Sequence, residues 1–213
     1  MNAKRIIFGA GGTGRTIAGV LQRAGLGSDL AFLDDALAGA VVNGIPVLGP
    51  VLDYERYEDA EFIIGFGTSY RRERQELWHR LREQKCGFFN AVFPGTYIDP
   101  TSVLGTGNLI AANCAILPNA RIGDDCVMCV AATVDHDSQV GDHSYLSPGV
   151  NLAGGVVLES GVFVGTNATI LPTVRVGMGA VIGAGAVVTK PVLPGQTVAG
   201  VPARTIETSR NKA

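Results

Sequence analysis

Cysteine, histidine and tryptophan are scarce in this 213-residue chain, at four, three and one. Cys86, Cys114, Cys126 and Cys129 form no disulfide framework of the secreted kind, so a reducing cytoplasm is the expected setting. An excess of one charge is lacking as well: 17 Lys and Arg against 19 Asp and Glu leave −2. That balance gives no electrostatic reason to expect nucleic acid or an anionic membrane as partner. Apolar content is high, yet no apolar run approaches the roughly 18 residues that a spanning helix needs. The opening MNAKRIIFGAGGTG is broken at once by Gly and Thr, and no small-residue cleavage site follows, so it does not read as a signal peptide. A cytoplasmic protein of one large or two small domains is expected.

Composition shifts near residue 95. Charged helical stretches such as YRRERQELWHRLREQK (70–85) lie before it; Gly, Val, Ala and Ile dominate after it. The connector VFPGTYIDPTS carries two prolines and a glycine, placing domains at 1–95 and 96–213.

The second part repeats every six residues. From Ile98 through Leu104, Ile110, Ile116 and onward to Ile182 and Val188, sixteen consecutive sixth positions are aliphatic or Met. Four residues after most of them stands a small or β-branched side chain, with Asn108 the one clear misfit. A helix needs period 3.6 and a simple strand period 2, and neither yields a strict six. Period six is the signature of a parallel β-helix built from hexads, three to a triangular coil, with the aliphatic residue pointing into the prism. About five coils follow from the count.

The first part opens with a strand, RIIFGAGGTGR, whose Gly9, Gly11 and Gly14 match GxGxxG ahead of the helical TIAGVLQRAG. A second strand, LAFLDD, ends in Asp34 and Asp35, and EFIIGFGTS reads as a third. This is a Rossmann-like βαβ half-domain, in which backbone N–H groups approach a pyrophosphate at a helix N-terminus. Taken literally the fingerprint names NAD, but half of a dinucleotide fold suits a nucleotide diphosphate better, and a purely structural glycine turn also fits. Segment 70–85 reads as a surface helix with Leu77, Trp78 and Leu81 turned inward.

Two of the three histidines fall in TVDHDSQVGDHSYLSPG. In the hexad register His136 is two positions past inward Val134 and His143 three past Val140, so both belong to a corner or outer wall. Neighbouring Asp137 can hold the imidazole in one tautomer and raise its basicity, which suits proton transfer near neutrality. A solvated turn histidine is the plain alternative. No metal is expected: a zinc site shared between subunits needs a third histidine that the repeat lacks, and Cys126 and Cys129 occupy different hexad positions.

The short βαβ domain with its Gly-rich loop and FLDD, the hexads with VDHD, and a terminal VAGVPAR together resemble the bacterial nucleotide-sugar acetyltransferases of the PglD-like group, with sialic-acid O-acetyltransferases (NeuD-like) and GDP-perosamine N-acetyltransferases as relatives. The resemblance implies that the hexads form an all-β left-handed parallel β-helix, assembled as a homotrimer with active sites between subunits. It implies acetyl-CoA as co-substrate and, as acceptor, a nucleotide-linked amino-deoxy sugar such as a UDP- or dTDP-4-amino-4,6-dideoxy sugar. On this resemblance His136 is the general base and Asp137 its orienting carboxylate. Gly11, Gly12 and Thr13 fall where the family holds the pyrophosphate, Asp34 and Asp35 on the pair that meets the nucleoside, and Gly67 beside the sugar. Tyr145, Gly154, Thr166, Ala184 and Lys190 fall on the acetyl-CoA side, with Arg204 a second cation for its phosphates.

Three positions depart from the family pattern. Thr13 replaces the middle residue of a common Gly-His-Gly loop, Tyr145 replaces a second histidine, and Cys129 replaces an asparagine. Sugar O-acetylation and a non-catalytic trimeric scaffold are the alternative functions.

Overall fold

The structure is a computed structural model and describes residues 5–206. It divides into two compact units: one runs to Pro94 and takes in Thr106–Leu109, the other holds Gly95–Gly105 and continues from Ile110.

In the first unit β1 (Arg5–Phe8) lies between β2 (Leu30–Leu33) and β5 (Glu61–Ile64), and β6 (Gly87–Phe88) pairs with β5, all parallel. A short antiparallel pair, β3 (Val41–Val42) and β4 (Ile45–Pro46), precedes β5. The central strands are apolar without alternation because helices cross between them: α1 (Gly12–Arg23) links β1 to β2, and α2 (Arg71–Glu83) links β5 to β6. Helix α1 buries Ile17, Ala18, Val20 and Leu21 along one stripe. Gly14 lets that helix approach the β1 loop, since a Cβ there would stand 1.8 Å from the Gly9 carbonyl oxygen. Leu77, Trp78 and Leu81 turn inward from α2. So does Arg74, which a charged helical stretch gave no reason to expect; its Nη1 donates to the Ile64 carbonyl at 2.6 Å.

Asn108, the misfit in the hexads, is fully buried in this unit. Its N–H donates to Asn90 Oδ1 at 2.8 Å and its carbonyl accepts from the Ala91 N–H at 2.8 Å.

The second unit is a left-handed parallel β-helix of about six turns, each hexad giving a strand of two residues. Partners lie 18 residues apart, three hexads on. Wall one thus aligns Ile98, Ile116, Val134, Leu152, Ile170 and Val188. Wall two aligns Leu104, Ile122, Val140, Leu158 and Val176. Wall three carries Met128, Leu146, Val164 and Ile182 to Val198. From Ile110 to Val188 every inward residue is at most 3% exposed. The sixth coil exceeds the number expected because its hexads are irregular. Val188, Val192 and Val198 step by four and then six; Val192 closes wall two through a bridge to Val176. Thr197–Ala199 then pairs antiparallel with Arg204–Thr205.

The corners obey their own rule. Two positions after each inward residue the backbone N–H faces outward, and Pro100, Pro118, Pro148 and Pro172 all occupy that position, where a missing N–H costs the coil nothing. One position later the chain turns left-handed at most corners, at φ 62° in Asn119, 58° in Asp137 and 59° in His143. Gly, Asn and Asp dominate there because they reach that region at least strain.

Candidate functional site

His136 occupies an outward corner position between walls one and two. Its Nδ1 lies 2.8 Å from Asp137 Oδ2, and both side chains are about 60% exposed. Asp137 lies in a left-handed turn at φ 58°, with its carboxylate alongside the ring. Asp135 Oδ1 accepts the His136 N–H at 2.7 Å, fixing the backbone before the turn. The bond to Asp137, helped by the charge of Asp135, raises the imidazole pKa above 6.5. The same bond, with a second from Asn119, holds the Asp137 carboxyl below its usual range. With Nδ1–H directed at a carboxylate, Nε2 is the accepting nitrogen.

That nitrogen sits over Gly154, one coil on: a Cβ at Gly154 would come within 2.6 Å of Nε2. The glycine therefore makes room for the ring. Its own N–H is an outward corner group and makes no hydrogen bond among the described residues. His136, Asp137 and Gly154 thus bring together an imidazole, a carboxylate hydrogen-bonded to it and a glycine whose N–H is unspent among the described residues.

The remaining expected residues lie elsewhere on the solenoid. Thr166 and Ala184 occupy the corner between walls three and one, in successive coils, and their N–H groups are likewise unspent. Between the two corners wall one presents Thr133, Asn151 and Thr169, which carry no charge. Lys190 and Arg204 line a cavity of about 250 Å³ beside the last coil. Tyr145 stands outward on wall three, stacked on Phe163 with ring centroids 5.7 Å apart. The Cys129 thiol donates to the Tyr145 hydroxyl oxygen at 3.4 Å. Two departures from the family pattern are therefore in contact.

His143 belongs to another corner and does not join His136. Its Nδ1 is 2.9 Å from Asp125 Oδ2, with side chains 10% and 0% exposed. Cys126 and Cys129 do not converge either, since the Cys126 thiol bonds the Gly141 carbonyl at 3.3 Å. Burial pushes the Cys129 thiol up, and that of Cys114 up to about 11, so neither is poised as a thiolate. Among the described residues no group of three or more His, Cys, Asp or Glu is gathered as a metal ion would require.

The first unit has its own cleft, of about 600 Å³, lined among others by Gly11, Asp34, Asp35, Phe66 and Gly67. Gly12 and Thr13 open α1 beside it. A Cβ on Gly11 or Gly12 would meet nothing within 4 Å, so these two, unlike Gly14, leave open space at the helix terminus. The terminus has no side-chain cap and no acid in its first turn, so its N–H groups suit a phosphate. The acidic pair is partly committed. Asp34 Oδ2 accepts from the Ala10 N–H at 2.8 Å, and Oδ1 from the N–H groups of Ala36 and Leu37. Asp35 uses one oxygen, which accepts from the Val51 N–H at 2.7 Å. Asp34 therefore shapes the loop, and Asp35 is the freer of the two toward a ligand.

No helix among the described residues is long and apolar enough to cross a membrane.

One residue of the corner site had no signal in the chemistry of its neighbours: Asn119, whose Nδ2 donates to Asp137 Oδ1 at 3.0 Å. The 18-residue offset between stacked corners would have pointed to it.

Comparison with known proteins agrees with this anatomy. The PglD N-terminal domain matches residues 4–80, and the bacterial transferase hexapeptide model, of six repeats, matches 155–190. GDP-perosamine N-acetyltransferase of Escherichia coli O157:H7 is 34% identical over 173 residues, 77% of this chain and 76% of the relative. The acetyltransferase domain of PglB from Neisseria gonorrhoeae FA1090 superposes with a TM-score of 0.91 at 29% identity, covering 96% of this chain and 100% of that one. That domain has also been solved in complex with acetyl coenzyme A. PerB from Caulobacter crescentus, in complex with CoA and GDP-perosamine, gives a TM-score of 0.88 at 29% identity over 96% of this chain and 97% of that one. A chain that joins a PglD-type first domain to hexapeptide coils along this length belongs to the hexapeptide-repeat acyltransferases of the PglD type and is an acetyltransferase.

Proposed function

We propose that the protein moves the acetyl group of acetyl-CoA to the amine of a nucleotide-linked amino-deoxy sugar, a UDP- or dTDP-4-amino-4,6-dideoxy sugar by the sequence resemblance, with His136 as general base. The observation that carries this reading is the exposed His136 ring, bonded to Asp137 at 2.8 Å and lying over Gly154, whose N–H makes no hydrogen bond among the described residues. Bound acetyl-CoA supplies the acetyl group as a reactive thioester.

The chain's own residues do the rest. Asp137 holds His136 with Nε2 toward the sugar amine. His136 takes the proton that the amine nitrogen loses as it bonds to the acetyl carbon. The Gly154 N–H donates to the carbonyl oxygen where negative charge develops. As the carbon–sulfur bond breaks, the imidazolium returns the proton to the departing sulfur. The unspent N–H groups of Thr166 and Ala184, with Tyr145, Lys190 and Arg204, serve to hold the rest of acetyl-CoA. In the first unit the α1 terminus at Gly11, Gly12 and Thr13 takes the pyrophosphate, Asp35 with Asp34 faces the nucleoside, and Gly67 leaves space for the sugar. The protein works as a homotrimer.

The test is acetyl-CoA with a panel of UDP-, dTDP- and GDP-linked 4-amino-4,6-dideoxy sugars, followed by release of CoA thiol. GDP sugars belong in it because the E. coli relative is a GDP-perosamine enzyme and the Caulobacter structure holds that sugar nucleotide. Turnover with one nucleotide series is the expected result. Turnover with none of the panel overturns the reading.

The pH profile carries the base assignment further. His136 must be neutral to accept a proton, and its pKa is raised above 6.5, chiefly by Asp137. Activity should therefore fall with decreasing pH through a value above 6.5. In Asp137→Asn the acid limb of kcat/KM should move down toward the ordinary imidazole value. The sugar amine also titrates, but it is common to both enzymes, so the displacement between the two profiles reads the enzyme group. A limb that stays put contradicts the assignment.

A further inference from the structure

An Asp137 side chain that is 59% exposed would be free to turn on its corner. What fixes it lies one coil back. Asn119 stands 18 residues earlier in the same left-handed position, φ 62°, and its Nδ2 donates to Asp137 Oδ1 at 3.0 Å. With Oδ1 so engaged, Oδ2 is the oxygen that meets His136 Nδ1. Asn119 is seated in its turn: its N–H donates to Thr101 Oγ1 at 3.0 Å, and that hydroxyl donates to Asp99 Oδ1 at 2.6 Å. The Tyr97 hydroxyl donates to Asp99 Oδ2 at 2.9 Å. One hydrogen-bonded chain thus runs along the corner from Tyr97 to His136 through three coils. Toward the next coil the corner presents only Gly154 and Gly155, so the ring is braced on one side and bare on the other.

We propose that Asn119, with Thr101 behind it, is a positioning residue of the acetyl transfer, acting through Asp137 to keep Nε2 of His136 aimed at the sugar amine. The inference rests on His136 being the base. Charges facing the ring come from Asp135 and Asp137 on its own corner, with Asp99 further back beyond Thr101 and Asn119. The glycines of the next coil add none.

Asn119→Gly removes the amide and keeps the left-handed turn accessible, so the coil should fold. We expect kcat to fall about 10-fold as the dyad loosens, with both KM values unchanged. The acid limb of the pH profile should move toward lower pH, in the direction of Asp137→Asn. In an Asp137→Asn background, Asn119→Gly should cost nothing further, because the residue through which it acts is gone. Wild-type kcat with an unmoved limb overturns the proposal, and so does a loss that adds in full in the double variant, which marks a merely structural role. His136→Asn is measured alongside. If it retains turnover, the base reading itself fails; if it is inactive while Asn119→Gly is unimpaired, only the positioning role fails.

Discussion

His136→Asn should lower kcat by at least about 10², the lower end of what general base catalysis contributes. Asparagine keeps a polar side chain of similar reach but cannot take a proton at neutral pH. The loss should fall on kcat, since the acetyl-CoA contacts proposed at Thr166 and Ala184 lie on another corner. The fold should be untouched. The side chain is 60% exposed, and the same corner position elsewhere accepts Pro, Val, Thr and Gly. An unchanged Tm beside a fallen rate of CoA release is the expected pair of results. Full turnover in this variant would remove the base, and a scaffold or a different chemistry would take its place.

Gly154→Ala should come close to that loss without touching the histidine. The added methyl would stand 2.6 Å from Nε2 and 2.7 Å from Cε1 of His136, far inside contact distance. Something must move, and the ring is the movable part because it is exposed and hinged at its own Cβ. Turning away breaks the bond to Asp137 and takes Nε2 off the reacting amine. We expect kcat to drop by about 10², as misplacement of a catalytic group by about an ångström can cost. Gly154 has ordinary backbone angles, so alanine adds no turn strain, and Tm should stay near that of the parent. Wild-type kcat in Gly154→Ala would show that Nε2 does not work from over this glycine.

The walls were legible in the sequence because a residue that faces a closed prism has no alternative to being apolar, and the interval of six then repeats without interruption. The last coil was not, since Pro191 and the short step from Val188 to Val192 break the interval while Val192 still reaches wall two. The corner site was half legible. His136 and Asp137 are adjacent in sequence, so their pairing could be read directly. Asn119 reaches Asp137 only through the stacking of coils, and nothing about residue 119 in its own hexad announces it. In the first unit the acidic pair could be placed at the end of β2. Its hydrogen bonds to Ala10, Ala36, Leu37 and Val51 could not, because they depend on how three loops converge. Arg74 shows the same limit: whether a helical arginine is solvated or buried depends on a carbonyl at the end of a strand ten residues earlier.

The reversal at the end of wall three has a consequence for how these molecules behave in a crowd. A stack of parallel two-residue strands ends in a row of unpaired backbone groups, and such an edge is a template for another chain's strand. In a solenoid the hazard is greater, because any second copy carries coils of matching pitch. Here Arg204–Thr205 lies across that edge in the opposite direction. A coil arriving in parallel register meets a strand of the wrong polarity, only two residues long and bearing a guanidinium. Wall three therefore ends in a short strand of opposite polarity rather than in the open parallel edge of a coil.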